Sequence, residues 1–275
     1  MDFENFLDRL TLFVKKNPEL IIMTLSNIFT MRLIGNKTHG DLAEVAISEF
    51  VNQYMYDYKS QHVGKDLFRA KNHEEDILIT EELTGSEIPV SLKAYGDGPL
   101  QLSTDKNAAM FPLLQRYGEE AITERETIRE ILQQPCFTEF TSINVLPLIY
   151  DEAKKRCNIM VFDNGRAFES TAAIRCISSG LGRKHPVYRF EDDKGQYICE
   201  VRYGGPSANA LQRGLWTHTV KALPYFRSVS GGWIDYSHNM TLIELFSHAL
   251  VSSEAGHAYA LVEIDKDISR LKAGK

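Results

Sequence analysis

Two short apolar runs divided by a mostly polar connector set the tightest limits on how this chain can fold. The runs are Asp76-Ile77-Leu78-Ile79-Thr80 and Ile88-Pro89-Val90-Ser91-Leu92-Lys93. Each is too short for a stable helix and rich in side chains that suit a pleated strand. Between them Glu81-Glu82-Leu83-Thr84-Gly85-Ser86-Glu87 has the composition of a turn, so the pair reads as a hairpin over 76–80 and 88–95. Pro89 suits a strand start or an edge. Alternation puts Ser91 and Lys93 on one face of the second strand, and a neighbouring strand that begins at Asp76 can meet that face.

Elsewhere the period changes. Phe3, Phe6, Leu7, Leu10 and Phe13 predict an amphipathic helix over 2–16, broken at Asn17-Pro18. A second helix is expected from Pro18 to about Leu33, stopping at Gly35, and a third from about Gly40. Helix is expected again at 119–133, 166–178 and 241–252. Strands are expected at 143–150 and 157–162, at 186–191 and 196–203, and at 258–263, leaving 204–240 as long loops. The pattern predicts one α/β domain over residues 1–275, a mixed central sheet flanked by helices.

Charge and cysteine content narrow the partners. The formal net charge is −6, so any nucleic-acid surface must gather its cations on one face. The four cysteines show no CxxC spacing, which fits reduced thiols in a cytoplasmic protein better than a structural zinc site. The amino terminus is acidic and carries no secretory pattern. The most apolar stretch, Leu20 to Ile34, is interrupted by Ser26, Asn27 and Arg32, so no membrane span is expected. No phosphate-binding loop, nucleophile elbow or HExxH is present.

An acid opening one strand and a lysine closing the next suit phosphodiester hydrolysis. A carboxylate holds a hard divalent cation through oxygen, and the cation polarises the phosphoryl group and acidifies water. An ammonium beside it orients the attacking water and offsets developing negative charge. Ser91 stands two residues before the lysine, where a second acid would be useful. That acid must come from elsewhere, with Glu44 on the preceding helix as first choice and Glu75 and Glu87 in reserve.

Asp76, the Ser91-Leu92-Lys93 run and the polar run Leu100-Gln101-Leu102-Ser103-Thr104 together resemble the PD-(D/E)xK nuclease superfamily, and within it the type II restriction endonucleases. Gly40-Asp41-Leu42-Ala43-Glu44 looks like the superfamily's preceding helix. The resemblance implies a restriction-endonuclease-like core, Mg2+ held by Asp76 and Glu44, and Lys93 acting on water. It also implies a homodimer on double-stranded DNA. Residues 1–60 would be a helical amino-terminal part, 61–162 the catalytic core and 163–275 the DNA-recognition part. The chain departs from the pattern at Glu75, where a proline is usual, and at Ser91, where an acid is usual.

The segment 200–219 is dense in side chains that read base edges: Arg202, Tyr203, Asn209, Gln212, Arg213 and Thr217. It resembles a carboxy-terminal region of several restriction endonucleases. Gln101 is a further candidate, and Lys65, Arg69 and Lys71 form a basic stretch that could grip phosphates. The expected function is a Mg2+-dependent, sequence-specific double-stranded DNA endonuclease. The alternatives are a repair or recombination nuclease of the same superfamily and a non-catalytic DNA-binding protein.

Overall fold

The 76–95 hairpin forms, and it sits in a seven-stranded sheet. The computed structural model describes residues 2–26, 39–63, 76–95, 99–117, 120–138, 144–151, 153–178, 185–203, 205, 207–209, 212–239, 262, 266, 269 and 273. In chain order the elements begin with α1 (Asp2–Lys16), a helical stretch at 19–26, α2 (His39–Tyr54) and β1 (Tyr58–His62). They continue through β2 (Ile77–Glu81), β3 (Glu87–Tyr95), β4 (Pro99–Thr104), α3 (Met110–Arg116), β5 (Ala121–Ile122) and α4 (Arg125–Leu132). Next come α5 (Pro135–Thr138), β6 (Asn144–Asp151), β7 (Arg156–Phe162), α6 (Asn164–Ser170), β8 (Ala173–Ile177) and β9 (Val187–Glu191). β10 (Tyr197–Arg202), β11 (Gly214–His218), β12 (Phe226–Ser228) and β13 (Ile234–Asp235) complete the series. The chain is mixed α/β and divides into two compact units.

The first unit comprises Met1–Gly96, Leu146–Met160 and Ser228–Lys275. Its strands run in the order β1-β2-β3-β6-β7, with β13 antiparallel to β7. Alternation buries Ile77, Ile79, Ile88 and Val90 along the hairpin. The apolar stripe of α1 contributes Phe6, Leu7, Leu10 and Val14, and α2 contributes Ile47, Phe50 and Val51. Each such side chain stabilises the fold by about 1.5–3 kcal/mol when fully buried. α2 is tied to β1 by a reciprocal pair: Asn52 Nδ2 donates to the Ser60 carbonyl at 2.9 Å, and the Ser60 amide donates to Asn52 Oδ1 at 2.7 Å.

The second unit comprises Asp97–Val145 and Val161–Arg227. Its sheet runs β4-β11-β10-β9-β8-β5, and every neighbouring pair is antiparallel. One face is apolar, with Tyr188, Phe190, Cys199, Val201 and Leu215 buried against Phe111 and Leu114 of α3 and Phe137 of α5. β11 approaches β4 so closely that a Cβ on Gly214 (φ +122°) would lie 2.1 Å from the Ser103 carbonyl oxygen. Only glycine fits there.

Several expectations change. Among the described residues the strands form two sheets, not one central sheet. The helix expected at 166–178 stops at Ser170, because Ile174 and Cys176 alternate with exposed Arg175 at the period of a strand, and β8 takes those residues. The helix expected at 119–133 shortens to α4, with a strand rung at Ala121–Ile122. Residues 204–240 hold β11, β12 and β13. β1 and α3 were not expected; the polar sequence Tyr-Lys-Ser-Gln-His of β1 hides an edge strand that depends on β2 for its pairing. Residues 241–252 lie outside the described residues, and Val262, within the expected strand 258–263, is helical. All four cysteines are free thiols; burial pushes the Cys157 thiol up to about 12 and holds Cys199 well above the ordinary range. Among the described residues no helix is long and apolar enough to cross a membrane.

Candidate active site

The β2–β3 register pairs Ile77 with Val90, which puts Asp76 opposite Ser91 on the next rung. The backbone there is fixed on both sides. The Asp76 amide donates to the Val90 carbonyl at 3.0 Å, and the Val63 amide donates to the Asp76 carbonyl at 3.0 Å. The side chain therefore leaves the end of the sheet at a defined place.

Two hydrogen-bond donors and an ammonium converge on one oxygen of that side chain. Asp76 Oδ2 accepts from Ser91 Oγ at 2.9 Å and from the Leu92 amide at 2.6 Å. Lys93 Nζ lies 3.9 Å from the same oxygen. The Asp76 side chain is 22 % exposed and that of Lys93 42 %, so the pair opens to solvent while Ser91 beneath it is buried. Oδ1 has no hydrogen-bond partner among the described residues. The arrangement is a carboxylate held at one oxygen and open at the other, with an ammonium alongside. An open carboxylate oxygen is the hard donor that Mg2+ takes, and Mg2+ usually keeps several waters and needs only one or two carboxylates. Asp76 fits that role. Among the described residues no three His, Cys, Asp or Glu side chains are grouped as a metal cluster.

The candidates for a second carboxylate separate by position. Glu44 lies on α2, the helix that packs against β1 and β3. Its side chain, like all of Glu75, lies outside the described residues. Glu87 drops out. It pairs with Thr80 at the other end of the hairpin, four residues from Ser91 and so about 13 Å along the strand.

The sequence candidates for DNA contact also separate. Lys65, Arg69 and Lys71 lie outside the described residues. Arg202 is at the end of β10, with Nε 2.8 Å and Nη2 2.7 Å from Glu200 Oε1. Gln101 on β4 donates through Nε2 to the Arg213 carbonyl at 3.0 Å, and Arg213 is half-buried. Asn209 and Gln212 are exposed in one turn, where the Asn209 amide donates to Gln212 Oε1 at 3.2 Å. One candidate is corrected. Thr217 is fully buried and spends its hydroxyl on the Ile198 carbonyl at 2.8 Å, because its place in β11 points to the apolar face. Tyr203 is half-buried and stacks on Phe111 of α3 with ring centroids 5.0 Å apart.

Sequence reasoning missed the Leu92 amide and treated Ser91 as a lost acid, whereas both are donors that hold Asp76. The signal for the serine was present: a small hydroxyl directly across from an acid on an antiparallel pair. Comparison with protein-family models, with curated proteins and with solved structures gives no match.

Proposed function

We propose that this chain is a magnesium-dependent endonuclease that cuts double-stranded DNA at a short specific site, with a core of the PD-(D/E)xK type. The observation that carries the reading is the convergence of Asp76 and Lys93 from neighbouring strands, 3.9 Å apart at a solvent-open sheet end. Asp76 would hold the cation through Oδ1, with Glu44 as the second carboxylate. Bound Mg2+ would neutralise phosphate charge and acidify water. Lys93 orients the attacking water and faces the negative charge that grows on phosphorus. The water gives up a proton to solvent as its oxygen bonds to phosphorus, the opposite P–O bond breaks, and the departing oxygen takes a proton from solvent and leaves as an alcohol. A twofold dimer would supply one such centre per strand of a palindromic site.

Ser91 in the place of an acid, donating to Asp76, favours one second reading: a DNA-binding protein that does not cut. Digestion of a phage genome by the purified chain with Mg2+ separates the readings. Discrete fragments are expected from the wild type, and from Lys93→Ala only at a rate lower by about 10²–10³-fold. A smear would mean a nuclease of the same superfamily without site preference. No Mg2+-dependent cleavage by the wild type would leave only the binder.

A further inference from the structure

The face of the second unit's sheet opposite its apolar core is not an ordinary solvated surface. Its registers place Arg175, Arg189, Glu200, Trp216 and Gln101 directly across from one another on β8, β9, β10, β11 and β4. That is a continuous polar row across five strands. Arg175 and Arg189 face each other across a strand pair, an arrangement that costs stability when like charges are opposed.

The charges are layered. Arg175 Nε binds Glu191 Oε2 at 2.9 Å, with the arginine side chain 48 % exposed and the glutamate 13 %. Arg202 binds Glu200 Oε1 at 2.7 Å, with exposures of 24 % and 0 %. In both pairs the carboxylate lies underneath and the guanidinium lies toward water. The remaining arginine is held by a ring instead: the Arg189 guanidinium lies 5.7 Å from the Tyr197 ring centroid, and Arg202 also lies 4.6 Å over Trp216. Nε of Arg189 and Nε1 of Trp216 are buried donors without a hydrogen-bond partner among the described residues. Each guanidinium is thus fixed by a carboxylate or a ring before any ligand arrives, and the Arg175 and Arg202 side chains keep surface open to water. Pre-organised forks of this kind match phosphate oxygens and the O6/N7 edge of guanine.

We infer that this face, through Arg175, Arg189 and Arg202 supported by Trp216 and Tyr197, is a binding surface for duplex DNA. The commitment to DNA follows from charge: an outward layer of donors and cations over covered carboxylates, in a chain whose net charge is −6. Duplex is favoured over single strands because guanidinium groups cover the Trp216 and Tyr197 rings on which unpaired bases would stack. The inference rests on the reading of the chain as a DNA enzyme, and it adds three residues that the sequence candidates lack: Arg175, Arg189 and Trp216.

The test uses the full chain and a random-sequence duplex, with the same sequences single-stranded, in Ca2+ without Mg2+. The Arg175→Ala/Arg189→Ala pair should bind duplex at least about tenfold more weakly, with a salt slope lower by about two. Arg129→Ala, an exposed helix arginine paired with Glu126, serves as the control and should bind as the wild type does. Thermal melts establish that the pair is folded. In Trp233→Phe, which leaves Trp216 the sole tryptophan, added duplex should change the emission. A wild type that cuts and binds DNA, a double variant of unchanged affinity and an unchanged Trp216 emission would overturn this inference and leave the nuclease reading standing. Tighter binding of single strands than of duplex would overturn duplex as the occupant. A wild type that neither binds nor cuts would overturn both.

Discussion

Ser91 donates its hydroxyl to Asp76 Oδ2 across the β2–β3 ladder at 2.9 Å, from a position that is itself buried. A second donor, the Leu92 amide, reaches the same oxygen at 2.6 Å. Ser91→Ala should therefore loosen the carboxylate without freeing it. Stability should fall by about 1 kcal/mol in a denaturant melt, and cleavage should fall less than in Asp76→Asn. Equal losses in the two variants would show that Ser91 does more than hold its neighbour.

Ser91→Asp places two carboxylates on one antiparallel rung, where like charges repel. The variant should melt below the wild type without metal and gain more than the wild type does when Mg2+ is added. Identical Mg2+ responses in calorimetry would argue against a cation at Asp76.

Lys93→Ala removes the ammonium 3.9 Å from Asp76 Oδ2. Single-turnover cleavage should slow by about 10²–10³-fold, with duplex affinity in Ca2+ unchanged. Loss of affinity in parallel with rate would make Lys93 a DNA contact instead.

Glu44→Gln tests the source of the second carboxylate from α2. The Mg2+ concentration for half-maximal cleavage should rise by about tenfold or more. An unchanged titration would exclude Glu44 and direct attention to Glu75.

Two further outcomes concern the second unit. Asp192 closes the β9–β10 hairpin: Oδ1 accepts from the Lys194 and Gln196 amides at 2.9 and 2.8 Å, and Oδ2 from the Tyr225 hydroxyl at 2.9 Å. Burial works to raise its pKa, but these hydrogen bonds outweigh it and hold the carboxyl below the usual range. A depressed folded value means the contribution is present above the unfolded value of about 3.9 and is lost as pH falls through the folded value. Melts of wild type and Asp192→Asn should therefore differ at pH 7 by about 1 kcal/mol, and the gap should begin to narrow only below the unfolded value and close below the folded one. A gap that persists in acid would place the effect outside this carboxylate.

Gly214→Ala drives a methyl into the Ser103 carbonyl oxygen at a backbone angle that L-residues avoid. It should cost on the order of 2–4 kcal/mol, seen as a lower melting temperature. A neutral result would mean that β4 and β11 pair differently.

Local chemistry carried much of the reading. The β2–β3, β6–β7 and β9–β10 hairpins follow from apolar runs joined by short polar turns, and α1 follows from its helical apolar stripe. These depend on neighbours in sequence, where period and turn residues act over a few positions. The opposition of Asp76 to the Ser91-Lys93 face was legible for the same reason, since a hairpin fixes its own register. Harder to see were β1 and the switch from helix to strand at 171–173. β1 is polar and depends on β2 for its pairing. The sequence around 171–173 satisfies either period until β9 offers a partner. The arginine row was invisible: Arg175, Arg189 and Arg202 are separated along the chain, and only the order of β8, β9 and β10 and the bulge between Tyr197 and Cys199 bring them onto one face. Long-range strand order is settled by which apolar faces can be buried together, and no local window contains that information.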